Sequence, residues 1–580
     1  MKKFIFAVSL AFILTRLPGQ VLEIEKTFDV TGKADIGDIA NVAYDQQSGQ
    51  SVYSFIVKAK SDQITIESYA FDKEFNMVKN ESATLSFDQA KTKYPWWNYK
   101  GEHLETSDLV VDEDDDIILR KKSYEMDYDW KKLDYKVKAE VKEKIKMKNE
   151  AGEKFLHHRN WTPESGDFLF ILGGEQSKSD KFLQNRTFEL MKISDKDAAI
   201  IKQLNITFDF PQSIVYPRFN DEKSEGRGSE VGGDLVLVFA PMNAGKLSDP
   251  SKSNYTYIRI DQDLNLVARV AFTSPTAFWS VEDHIYDAKT KAVYLLGASL
   301  TSENKYFSDL TDTKKFNGFQ LMKVVGDKVE YLNSVTLDDL NSKVVMPPSQ
   351  KKATKYEGKK FIIAEYTLTS DGKLFLVGQS WYVDALGTMD NMNSGMIGKK
   401  TRKIKYSDCF GLGFDERGKL IGQYLYDTKG FMGGNDFSVY QYLFPGNNPS
   451  NIYWFILQPN YWNWNPTVQI YDYKPVKQPE LKDFIADVDW NTMSGDFNPF
   501  VFVKHKVKCD IISSNLAKID LSKNQIGDFV NYQVDKAEKK SYYLCPGKPL
   551  MLTNDNKLLL FGSQSMKKGK TLWFARFLLE

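Results

Sequence analysis

The chain has 580 residues, more than one ordinary hydrophobic core needs, so several domains or a repeat array are expected. Lys+Arg and Asp+Glu both number 77, which excludes a global field drawing the protein to nucleic acid or to an anionic membrane. Aromatics are 14% and there are 36 Gly and 19 Pro, a balance that suits many short strands between turns and argues against long helices.

Lys2 and Lys3 precede an apolar run from Phe4 to Leu14, which is too short to span a bilayer, and Pro18-Gly19-Gln20 closes it. Residues 1–20 therefore read as a secretory signal peptide, with 21–580 as the mature repeat domain. An exported protein is expected, whether periplasmic, outer-membrane-associated or secreted. No later apolar run reaches the length of a transmembrane helix. The cysteines are Cys409, Cys509 and Cys545; an odd number in an exported chain leaves a Cys509–Cys545 pair or three buried thiols as the readings.

Val21 to Val30 reads as one strand without a local partner. Apolar runs of strand length then begin at Ser51, Asp116, Asp167, Asp234, Ala292, Lys373, Asn451, Phe500 and Lys557, nine candidate units. Apolar character on successive residues points to strands buried on both faces. Phe188-Glu189-Leu190-Met191-Lys192-Ile193 recurs as Phe319-Gln320-Leu321-Met322-Lys323-Val324. Several runs end in glycine (Gly173, Gly297, Gly378, Gly562), which fits a tight exit or a neighbouring backbone passing close. Asp72-Lys73-Glu74-Phe75-Asn76 matches Asp261-Gln262-Asp263-Leu264-Asn265, and turns after Asp415 and Asp520 are looser versions. Tyr135 to Lys148 alternates apolar and charged residues and reads as a half-exposed strand, with a Lys-rich surface helix as the competing reading.

Repeated all-β units of this size predict a single large β-propeller-like ring of seven or eight blades, with the N-terminal strand completing the last blade. Segment 93–161, charged and irregular, is the expected insertion, and 379–408 is the expected long loop. A sandwich beside a smaller propeller is the alternative architecture. The layout resembles kelch-type and related bacterial exported propellers over nearly the whole mature chain. Gly173-Gly174 carries that resemblance, but the Tyr and Trp spacing of the kelch repeat and the Trp-Asp ending of the WD repeat are missing, so it implies a shape and transfers no functional residue.

Binding chemistry is expected in the connections that follow the terminal glycines. The longest holds Met389 and Met392 and then the basic run from Lys399 to Lys403. Trp96 and Trp97, and Tyr461, Trp462 and Trp464, place flat aromatic faces beside amide side chains, a chemistry shared by sugar-binding surfaces and protein interfaces. Asp112 to Asp116 and Asp261 to Asn265 resemble calcium loops but lack the turn glycine and the distal glutamate. No zinc, nucleophile-elbow or P-loop signature is present. His157-His158-Arg159 and Glu282-Asp283-His284 reach a central site only if a ring places them there. The expectation is a non-catalytic exported propeller that binds or scaffolds an envelope or outer-membrane-associated protein, needing no cofactor or metal. The alternative is a glycan-binding or glycan-cleaving propeller that uses the loop tryptophans with nearby carboxylates.

Overall fold

A computed structural model describes residues 20–30, 33–34, 38–59, 63–86, 102–111, 117–129, 134–152, 156–161, 168–174, 185–194, 199–219, 233–241, 253–276, 278–300, 316–351, 356–358, 360–385, 402–426, 439–460, 511–535, 540–544, 550–564 and 571–580. Among them the chain is nearly all strand, with one six-residue helix, Leu337–Ser342, opened by a Thr336/Asp339 capping box.

The strands form eight mainly antiparallel meanders in chain order, with Val344–Val345 added in parallel to Leu420–Tyr426 and a separate two-stranded ribbon of Val534–Asp535 and Lys540–Ser541. Sheet one is Asp38–Tyr44, Ser51–Ala59, Gln63–Phe71 and Met77–Ser86, and sheet two is Glu102–Val111, Ile117–Asp129 and Asp134–Lys146. Sheets three and four run from Leu156–Trp161 to Leu266–Phe272 and share the strand Ile200–Phe219. That strand changes partner between Gln212 and Ser213. Sheet five centres on Ala292–Leu300 and Gly318–Val325, sheet six on Leu374–Ala385 and Arg402–Phe414, and sheet seven on Asn451–Asn460 and Ile511–Asp520. Sheet eight is built on Lys557–Ser563 and Thr571–Leu579, and its outer strand is Gln20–Asp29, paired from Gln20↔Leu579 to Asp29↔Thr571. The N-terminal strand thus completes the last sheet. Eight of the nine candidate runs fall in these sheets, and the run at Phe500 lies outside the described residues.

Alternation along each second strand explains its continuous apolar character. In Leu235–Ala240, residues Leu235, Leu237 and Phe239 pack on sheet three while Val236, Val238 and Ala240 pack on sheet five. Leu374 and Leu376 face sheet five, and Phe375 and Val377 face sheet seven. Tyr453 and Phe455 face sheet eight, and Ile452 and Trp454 face sheet six. Leu559, Phe561 and Phe574 of sheet eight then pack on Tyr53, Phe55 and Phe71 of sheet one. Shared cores therefore join sheets two through eight in series and join eight to one. This is an all-β propeller-like ring, in which a period of two places successive side chains against opposite neighbours.

The Asp turns fasten neighbouring sheets together. Asp72 Oδ1 accepts from the amides of Glu74 and Asn76, and Asp261 Oδ1 accepts from those of Asp263 and Asn265. Phe75 and Leu264 take positive φ of 57° and 56° and bury their side chains in the neighbouring core. The preceding sheet's outer strands then clasp each turn. Lys26 donates to Glu74 O at 2.6 Å, Lys202 to Asp263 O at 2.5 Å, and Asn333 to Arg417 O at 2.6 Å. At Gly418 the ring of Tyr331 from the preceding sheet occupies the space where a Cβ would stand, which is why glycine replaces the buried apolar residue there.

These turns set an acid limit on stability. The Asn76 amide holds the Asp72 carboxyl below the ordinary aspartate range, the Lys373 ammonium does the same for Asp371, and the Thr553 hydroxyl for Asp555. A depressed folded value means the contribution is complete above the unfolded value of about 3.9 and is lost as pH falls through the folded range. Tm is expected to hold from pH 7 to about 5 and to fall steeply below about pH 4. A Tm unchanged at pH 3 contradicts the role given to the turns.

Gln423 is 1% exposed, and neither side-chain amide atom has a protein partner. It borders a cavity of about 10 Å³ with Phe319, Leu340, Tyr356, Phe361 and Leu412. Leaving a buried amide unpaired costs about 1–3 kcal/mol, so Gln423→Leu is expected to raise stability by about 1 kcal/mol or more in denaturant titrations. A loss of stability contradicts this reading.

The structure corrects two expectations. Segment 93–161 is not an irregular insertion: it carries the whole of sheet two and the first strand of sheet three. Asp134–Lys146 is a strand, as its alternation of apolar and charged residues predicts. The loop expected over 379–408 is shorter, since Gln379–Ala385 and Arg402–Cys409 continue as paired strands. Cys409 is a free, buried thiol whose pKa burial pushes up, and Cys509 and Cys545 lie outside the described residues.

Candidate functional site

In each meander the first main strand, such as Asp38–Tyr44 in sheet one or Lys360–Leu368 in sheet six, forms one edge of the sheet. Met77–Ser86, the last strand of sheet one, is exposed, whereas the first strands of sheets six and seven, Lys360–Leu368 and Tyr440–Pro445, approach each other directly. Hydrogen bonds also pass between first strands. The Tyr216 hydroxyl of sheet four lies 2.7 Å from His284 Nδ1 and 3.4 Å from Asp283 Oδ1 of sheet five. Glu282 of sheet five accepts from the Phe361 amide of sheet six at 3.1 Å.

These first strands are irregular at one shared level. An extra residue is inserted at Ala40, His158, Val215 and Ala364. In sheet five the first strand breaks between Trp279 and Asp283. The positions opposite are Phe55, Gly173, Phe239, Gly297 and Gly378, each the fifth or sixth residue of its second strand. Bulges re-aim side chains and recur next to functional sites. They also account for two of the glycines. A Cβ on Gly297 would lie 1.8 Å from Ser280 O, and one on Gly378 would lie 2.1 Å from Ile362 O. The first strand presses its carbonyl onto the second, so only glycine fits.

At that level stand Tyr216, Glu282 to His284, and Glu365, and the backbone register puts Asn41 and His157 to Arg159 at the corresponding positions of their strands. Both tripeptides singled out in the sequence thus lie on first strands at the same height. Tyr216 and Glu365 carried no sequence signal, because a lone Tyr or Glu in a strand is unremarked until register is known. The Tyr216 side chain is 3% exposed and its ring meets that of His284 edge-on at 5.6 Å. The Tyr216 hydroxyl has one proton for two neighbours, so the direction of its bond to His284 Nδ1 follows the imidazole tautomer. Burial pushes the Tyr356 hydroxyl pKa up, and Glu282 adds to the effect. The arrangement can orient a polar group and relay a proton between neighbouring sheets. Among the described residues, no three His, Cys, Asp or Glu side chains stand together as metal ligands.

The second-to-third-strand connections leave the ring at one end, and their lengths differ widely, from Ala59–Gln63 to Asn460–Ile511. At the other end most turns are short, such as Val325–Lys328 and Ile260–Leu266. A cavity of about 320 Å³ lies at that short-turn end between sheets six and seven, lined by Thr367, Thr369, Ser370, Pro445 and Asn447, with no titratable group. Trp96, Trp97, Tyr461, Trp462, Trp464, Met389 and Met392 all lie outside the described residues. Of the five described tryptophans, Trp279, Trp454 and Trp573 are fully buried between sheets, and Trp161 and Trp381 are half-buried. No helix among the described residues is long and apolar enough to cross a membrane.

No protein-family model matches the chain, and no curated protein matches it. Among solved structures, the Dos1 propeller is 11% identical, covers 75% of this chain and 93% of its own, and has a TM-score of 0.25. A cobalt-substituted ACO from Synechocystis is 10% identical over 87% of this chain and 92% of its own, with a TM-score of 0.26. A GH43_1 enzyme from Xanthomonas citri is 9% identical over 52% and 82%, with a TM-score of 0.21. Likenesses this weak carry neither fold nor function, and the architecture rests on the strand order and the shared cores.

Proposed function

We propose that this chain is an exported, non-catalytic propeller that binds or scaffolds a protein of the cell envelope. The observation that carries the reading is the asymmetry of the ring's ends. One end is closed mostly by short turns fastened between neighbouring sheets, and the other bears connections as long as residues 461–510. A rigid frame with connections of varied length on one end is the usual arrangement for recognition. The aromatic residues Tyr461, Trp462 and Trp464 fall in one of those connections, and Met389 and Met392 in another, residue types suited to interface anchors.

The test is capture from gently solubilised native envelope, using the tagged full chain and a variant whose residues 386–400 are replaced by a short Gly/Ser linker. The full chain is expected to retain a stoichiometric partner through moderate salt, and the variant to lose it at least tenfold with its melting curve unchanged. Recovery of the full chain alone as a soluble monomer rejects the reading.

A further inference from the structure

The strand that closes the ring is held as a ligand is held. Glu23 sits at a bulge between Leu22 and Ile24, and the bulge turns its carboxylate onto Arg576, 2.8 Å away, with Lys557 at 3.6 Å. Glu25 accepts from the Trp573 indole at 2.7 Å. Between these carboxylates Ile24 packs on the core shared with sheet one, and Phe28 meets Phe71 edge-on at 5.3 Å. The Thr571 hydroxyl donates to Asp29 at 2.7 Å. Exposure alternates from Leu22 to Asp29, with Leu22, Ile24, Lys26 and Phe28 the less exposed and Glu23 and Glu25 reaching the cationic and indole groups of the edge. Backbone pairing alone is satisfied by any extended segment, whereas these side-chain contacts select one pattern.

We propose that the outer edge of Thr571–Leu579 is a strand-accepting site for an extended segment with carboxylates two residues apart and apolar residues between them. The chain fills it with its own residues 20–29. Edge strands are templates for pairing, and here the edge reads its occupant through Arg576, Lys557 and Trp573. The occupant is continuous with sheet one only through residues 30–37, so once that link is cut it is bound only by non-covalent contacts: the backbone pairing, the side-chain contacts to the edge, and the Lys26 bonds to Glu74 O and Asn76 Oδ1. The same segment of a second copy of this chain competes for the edge. This site stands apart from the binding end proposed above, and its failure leaves that proposal untouched.

The test uses the full chain with a protease site placed within residues 31–37, nicked after folding. The cut strand is expected to co-elute with the ring, and a fluorescent peptide of residues 20–29 to exchange into it over hours. Unlabelled native peptide is expected to compete at least tenfold better than the same peptide carrying Glu23→Lys and Glu25→Lys. Equal competition by the two peptides, or no exchange into a ring that remains folded, overturns the proposal. If nicking unfolds the ring, the intact chain carrying Glu23→Lys and Glu25→Lys decides by hydrogen exchange. Protection of the Thr571–Leu579 amides is then expected to fall at least tenfold while Ala292–Leu300 is unchanged, and equal protection of both overturns the proposal.

Discussion

Gly297→Ala is expected to destabilise the ring by more than about 3 kcal/mol, and Gly378→Ala by a similar amount. The new Cβ would lie 1.8 Å from the Ser280 carbonyl oxygen in the first case and 2.1 Å from that of Ile362 in the second. In both the obstacle is backbone, held by the pairing of the first strand, so no side-chain rotation relieves it. Gly326→Ala separates this effect from ordinary glycine replacement. Gly326 has φ of 59° and nothing within 4 Å of a built Cβ, so its substitution is expected to cost only about 1 kcal/mol. Denaturant titration of the three variants reads the difference, and equal losses contradict the close approach of first and second strands.

Trp573→Ala is expected to cost about 3–5 kcal/mol, because a fully buried indole is lost from the core between sheets seven and eight. Its Nε1 also anchors the closing strand through Glu25. Trp573→Phe keeps most of the apolar contact and loses that bond, for which about 1–2 kcal/mol is expected. Glu25→Gln should weaken the same contact, and the double variant should cost less than the two singles together. Strict additivity in that cycle, read from Tm and denaturant midpoints, contradicts a direct bond.

The ring was legible in the sequence because its strands are buried on both faces. Leu235–Ala240 and Ala292–Leu300 read as unbroken apolar runs. The recurrence of Phe188 to Ile193 at Phe319 to Val324 marks equivalent third strands, since Gly173 pairs with Glu189 and Gly297 with Gln320. The strand at Val21 was legible for a different reason, its alternation of apolar and polar residues with no hairpin neighbour. Two strands of sheet two were legible, in the run at Asp116 and in the alternation from Tyr135, while its first strand, Glu102–Val111, was not; Leu119 and Met147 carry the packing of this sheet on sheet three. The polar level at Tyr216, His284 and Glu365 was not legible at all. It is produced by bulges, and an extra residue in one strand leaves no mark on composition or period.

The clearest single measurement is cross-linking mass spectrometry on the captured complex with an amine-reactive reagent. Lysines serve as reporters at both ends of the ring: Lys178, Lys305, Lys314 and Lys399 in the long connections, and Lys73, Lys419 and Lys523 in the fastened turns. The account predicts partner cross-links at the first group and none at the second. Cross-links concentrated at Lys73, Lys419 and Lys523 would contradict it, placing the partner on the end closed by the short turns.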